Sequence, residues 1–81
     1  MLSELKNNPK VVGAKQVRRS LKEGGALRVF IAGDADPQLT DPIRAMCRER
    51  GVPVEEIPSM RELGQACGIT VGASVVAVLS A

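Results

Sequence analysis

The sequence contains no histidine, tryptophan or tyrosine, and its one aromatic residue is Phe30. Without histidine it lacks the usual proton shuttle near neutral pH and the commonest metal ligand. Its two cysteines, Cys47 and Cys67, lie far apart and form no CxxC pair. Neither a zinc site nor a disulfide framework has the residues it needs, and both are expected to be reduced, buried thiols. No apolar run approaches the ~20 residues of a membrane-spanning helix. Met1–Lys10 is polar and charged, without the apolar stretch of a signal peptide. There is no G-x-S-x-G elbow and no G-x-x-x-x-G-K phosphate loop. Asp34 and Asp36 follow a strand, where α/β active sites often lie, but two acids before a proline are more often turn formers. Together these absences point to a cytoplasmic protein that is not an enzyme, uses no cofactor or metal and has no membrane partner.

What is present is an aliphatic chain of 81 residues, 44% hydrophobic, with a net charge of +2. That length fits one domain, residues 1–81. Residues 1–28 hold seven basic side chains (Lys6, Lys10, Lys15, Arg18, Arg19, Lys22 and Arg28) against two acids, whereas the remainder holds four against seven. A basic surplus concentrated in the first third suits a polyanionic partner, although many basic stretches are only solvated faces.

Hydrophobic periodicity alternates between helix and strand. A short helix is expected at Ser3–Asn7 and a stub of strand at Val11–Val12. Gly13–Glu23 predicts a helix with Ala14, Val17 and Leu21 on one face and Lys15, Arg18, Arg19 and Lys22 on the other. Leu27–Ala32 reads as a strand covered on both faces. A second helix is expected from Thr40 or Asp41, with Pro42 in its first turn and Ile43, Met46 and Cys47 inward. Val52–Ile57 reads as a strand with an exposed edge or face. Ser59 and Glu62 have capping-box spacing ahead of a helix that turns Leu63, Ala66 and Cys67 inward. Ala73–Leu79, almost entirely apolar and rich in valine, predicts a buried central strand. The fold class is therefore α/β, a three-layer α/β/α sandwich around a small mixed four-stranded sheet.

Three segments carry candidate chemistry. In Gly13-Ala14-Lys15-Gln16, a glycine turns the chain into a helix whose first turn offers a cation and an amide to phosphates and base edges, and Arg19 extends that face. Asp34-Ala35-Asp36-Pro37 places a carboxylate where it could accept from an extruded base. Gly68-Ile69-Thr70-Val71-Gly72 offers two aliphatic side chains to an unstacked base, or buries them in the core. All three lie in connections or at a helix start and can converge on one end of the sandwich.

V-V-G-A-K-Q-V-R-R-S-L-K-E-G, V-F-I-A-G-D-A-D-P and L-G-Q-A-C-G-I-T-V-G-A-S-V-V-A-V, at this spacing, resemble the kink-turn-binding ribosomal protein family over about residues 11–79. The resemblance is strongest to its short bacterial YbxF-like members. It implies an RNA-binding protein that recognises and stabilises kink-turn motifs in structured RNA, such as ribosomal or riboswitch-like RNA, as a monomer and without affinity for DNA. It also implies that Lys15, Gln16 and Arg19 approach the sheared G·A pairs. Asp36 and Thr40 would lie near the extruded nucleotide, and Ile69, Thr70 and Val71 would cover the bases of the loop. Gly13, Arg18 and Lys22 complete the expected RNA-binding set. Archaeal and eukaryotic members usually carry Asn-Glu where this chain has Lys15-Gln16, and Lys where it has Met60; bacterial members resemble its Lys-Gln. A protein-interaction module on the same scaffold, with little RNA binding, is the alternative reading.

Overall fold

The structure, a computed structural model, describes residues 8–80. The helix expected at Ser3–Asn7 lies outside them. The elements in chain order are β1 (Lys10–Val12), α1 (Ala14–Glu23), β2 (Ala26–Ala32), α2 (Pro37–Arg50), β3 (Val54–Ile57), α3 (Met60–Ala66) and β4 (Val75–Leu79). The strands form one mixed sheet in the order β1-β4-β2-β3. β4 runs antiparallel to both neighbours, while β2 and β3 are parallel, joined through α2. The expected α/β/α sandwich is the observed one.

Strand alternation divides the core in two, because successive side chains point to opposite faces of a sheet. Val29 and Ile31 of β2 join Val75 and Ala77 of β4 under Val17 and Leu21 of α1 and Ile43 and Cys47 of α2. Phe30, Val76 and Val78 face the other way, against Leu63 and Cys67 at α3. The two cysteines therefore stand on opposite faces of the sheet, unpaired and buried. Burial pushes both thiols up; the charge of Lys10 partly opposes this at Cys67. Neither is poised as a thiolate.

Three boundaries differ by two residues or more from the sequence-based expectation. α2 begins at Pro37, not at Thr40 or Asp41, and carries Pro42 inside it. Asp36 supplies the reason: its carboxylate accepts from the Gln38 N–H at 2.9 Å, and Pro37 occupies the first helical position, where its missing N–H costs nothing. Pro42 leaves the Gln38 carbonyl without its helical donor, a loss that water can make good because both residues are exposed. β3 starts at Val54 and β4 at Val75, each two residues later than expected. Leu27, expected to be covered, is 56% exposed. The pairing register skips it: Ala26 faces Leu79 and Arg28 faces Val78, so Leu27 sits in a bulge and turns outward. At α3 the Ser59 hydroxyl accepts from the Glu62 N–H at 3.1 Å, as its spacing predicts. The Glu62 carboxylate, however, accepts from the Ser59 hydroxyl at 3.3 Å and does not reach back to the backbone.

Besides its backbone pairing with β2, the edge strand β3 is tied to the rest of the fold by arginine ion pairs: Arg28 of β2 with Glu55 at 3.7 Å, and Arg44 of α2 with Glu56. Arg44 of α2 donates to both carboxylate oxygens of Glu56, at 3.0 and 2.9 Å, and its remaining donor reaches Thr40 Oγ1 and Asp41, both at 3.1 Å. The hydrogen bonds from Arg44 hold the Glu56 carboxyl below its ordinary value, with burial working against them. A carboxylate whose folded pKa is depressed stabilises the fold above its unfolded pKa and loses that contribution as pH falls through the folded pKa. Glu56 is 55% exposed at its side chain, so solvent screening limits the pair to at most about 1 kcal/mol. Glu56→Gln should therefore melt slightly lower than the native chain at neutral pH. The gap should close as pH falls below the usual carboxylate range, which parallel thermal melts across pH would record.

Candidate nucleic-acid interface

The carboxyl ends of β1, β2 and β3 and the start of β4 meet at one end of the sheet, and four backbone hydrogen bonds tie their connections together. The Gly13 N–H reaches the Val75 carbonyl at 2.9 Å, and Ala32 reaches Ser74 at 2.9 Å. Gly33 reaches Ile57 at 2.7 Å, and Ala73 reaches Met60 at 3.0 Å. The starts of α1, α2 and α3 are consequently at this pole. Of the candidate residues it brings together Gly13, Lys15, Gln16 and Asp36 with the loop Ile69, Thr70 and Val71.

The helix starts are not equivalent. α2 is capped by Asp36, and α3 by Ser59. α1 has no side-chain cap and no acid in its first turn. Its N-cap is Gly13, whose φ of 102° is open to glycine and strained for other residues. A helix start leaves backbone N–H groups without intrahelical partners. Here they lie beside the exposed side chains of Lys15 and Gln16. Along the same helix Lys15, Gln16, Arg18, Arg19 and Lys22 line an open groove of about 350 Å³. Arg19 also donates to Glu23 at 3.3 Å, but with both side chains mostly in solvent this pair holds it weakly. Lys22 lies seven residues beyond Lys15, about 10 Å along the helix and away from the pole.

Asp36 commits one carboxylate oxygen to the cap and remains exposed. Thr40 is 1% exposed, one turn behind it, with its hydroxyl accepting from Arg44. At that exposure it supports the α2 start from within and offers almost no surface of its own. Of the apolar loop, Val71 is 69% exposed, Ile69 is half-buried against the core cluster that holds Leu63 and Cys67, and Thr70 is exposed. The open alternative for this loop thus divides: one aliphatic residue points outward and the other is drawn into the core.

Three residues that shape this pole were read differently, or not at all, from the sequence. Asp34 accepts the Met60 N–H at 2.7 Å and so ties the β2–α2 turn to the start of α3. Gly64 lies where the returning loop crosses α3, and a Cβ there would collide with the Val71 carbonyl. Its signal was available: a glycine inside a helical pattern costs stability and marks either a helix end or a close approach. Arg61, with Asp34, Met60, Gln65 and the loop residues, lines a second groove of about 470 Å³. Among the described residues no group of three or more His, Cys, Asp or Glu side chains could hold a metal ion, and no helix is long and apolar enough to cross a membrane.

Residues 2–81 match the model of the ribosomal protein L7Ae/L30e/S12e/Gadd45 family. An RNA-binding protein of Geobacillus sp. (strain WCH70) is 51% identical over 69 residues, 85% of this chain and 84% of that protein. The RNA-binding protein YbxF of Geobacillus stearothermophilus is 48% identical with the same coverage. Among solved structures, the Giardia lamblia 15.5kD RNA binding protein superposes with a TM-score of 0.92 at 29% identity, over 99% of this chain and 71% of that one. The chain belongs to the ribosomal protein L7Ae/L30e/S12e/Gadd45 family.

Proposed function

We propose that this protein binds structured RNA in the cytoplasm and recognises and stabilises kink-turn motifs, acting as a monomeric single domain. The observation that carries the reading is the uncapped start of α1, flanked by Lys15 and Gln16 and facing the same pole as the exposed Val71. Regular A-form RNA hides its major groove, whereas a sharp kink opens base edges and unstacks bases. Free N–H groups and Lys15 suit a phosphate. The Gln16 amide, which both donates and accepts, suits the edge of a G·A pair. Val71 suits the face of an unstacked base, with the second carboxylate oxygen of Asp36 as an acceptor nearby. Arg18, Arg19 and Lys22 extend the contact along the RNA backbone, and Gly13 keeps the entry to α1 clear. The names of the Geobacillus and Giardia relatives support the same class of ligand.

Such a protein works by binding the bent conformer more tightly than the extended one, and so shifts the RNA's own equilibrium. A mobility-shift titration tests this with a duplex carrying a kink-turn and a control whose G·A pairs are replaced by Watson–Crick pairs. Preference for the kinked RNA by about tenfold or more is expected, in line with ~1–3 kcal/mol for a good base-edge contact. Equal affinity for both would reduce the function to general RNA attraction. No binding to either would favour a protein-interaction module.

A further inference from the structure

The groove between α3 and the 69–72 loop lies on the opposite face of the sheet from the basic helix α1. From Ile57 to Val75 the chain has one basic side chain, Arg61. It is exposed and makes no ion pair among the described residues. Asp34, which lines the same groove, and Glu62, next to Arg61 in sequence, are both engaged elsewhere: Asp34 with the Met60 N–H, and Glu62 with Ser59. Nor does Arg61 serve its helix, since the first turn favours acids over cations. What it does have is a groove edge with Met60, 37% exposed, and Val71 as apolar wall and the Gln65 amide one turn further on.

We propose that Arg61, aided by Gln65, is a second phosphate-binding position on the α3 side, gripping the RNA strand as it leaves the kink. The inference rests on the RNA-binding reading above and deepens it. Cations on the two outer layers of the sandwich, with the apolar loop between them, match a ligand whose backbone turns back on itself. A straight duplex lying along α1 has no strand on the far side of the sheet. Arg61 would thus contribute to shape selection through a charge that only the bent RNA reaches.

The test uses the full chain and two RNAs: a complete kink-turn duplex, and a straight duplex of the same length and composition. Affinities of the native chain, Arg61→Gln, Arg61→Lys and Lys22→Gln are measured across a salt series. On the kinked RNA, Arg61→Gln should lose roughly three- to tenfold in affinity and flatten the salt slope by about one unit, the signature of one lost phosphate contact. Arg61→Lys should keep the slope. On the straight duplex Arg61→Gln should bind as the native chain does, while Lys22→Gln weakens both. An unchanged melting temperature would show that Arg61→Gln acts on binding alone. If the native chain prefers the kinked RNA and Arg61→Gln binds it equally well with the same slope, the Arg61 assignment falls and the functional reading stands. If the native chain shows no such preference, both fall together.

Discussion

Val76→Asp is expected to abolish cooperative folding. Val76 is fully buried in β4, opposite Val12 on one neighbouring strand and Phe30 on the other, under the α3 layer. The buried cluster it belongs to is built of aliphatic side chains, Phe30 and the Cys67 thiol, and a carboxylate buried there without a partner costs several kcal/mol. A native domain has only about 5–15 kcal/mol in total, and small domains sit near the lower end. Leu27→Asp supplies the contrast. Both residues lie in apolar runs of the sequence, but the bulge turns Leu27 to solvent, and its substitution should fall within about 0.5 kcal/mol. Circular dichroism melts of the two variants decide the matter. A native-like melt for Val76→Asp would mean that β4 is not the central strand.

The second large effect concerns selectivity for RNA shape. Gln16 and Val71 are uncharged, so they contribute little to general attraction for phosphates, whereas Lys22 acts only through charge. Gln16→Ala and Val71→Asp should weaken binding to a kinked RNA by roughly tenfold or more, the equivalent of ~1–3 kcal/mol, and barely change binding to a straight duplex. Lys22→Ala should weaken both by similar factors. All three variants, measured on both RNAs at one salt concentration, give a six-value comparison with a definite pattern. Equal losses of Gln16→Ala and Val71→Asp on both RNAs, or on neither, would overturn the assignment of these side chains while leaving the family intact.

How far the sequence could be read depended on whether the governing interaction was local. Periodicity located α1 to within a residue, because its apolar and basic faces are cleanly separated and Gly24 ends it. The start of α2 is not where Pro42 predicts it, because the capping arrangement lies in Asp36-Pro37, a segment with the composition of a turn. Leu27 departs from expectation for another reason: a bulge depends on the register of two strands distant in sequence. The candidate site divides the same way. Lys15, Gln16 and the other basic residues of α1 are exposed on one helix and were legible as a face. Thr40 came from family resemblance, and only tertiary packing reveals that it is buried. Ile69 and Val71, two residues apart in one loop, could not be separated by pattern. Asp34, Gly64 and Arg61 matter through what lies across from them, which no local pattern displays.

The position of β4 has a consequence for the timing of folding during synthesis. Among the described strands it is the last in sequence, yet it lies between β1 and β2, and β1 pairs with no other of them. A growing chain that has reached only α3 has β2 and β3 to pair, while its first strand waits without a neighbour. The Gly13–Val75 hydrogen bond that seats the start of α1 cannot form either. The basic helix and the loop beside it are therefore not held in mutual position until residues 75–79 have left the ribosome. A nascent chain can be attracted to RNA by its charge before then, but its shaped pole is complete only once β4 has paired.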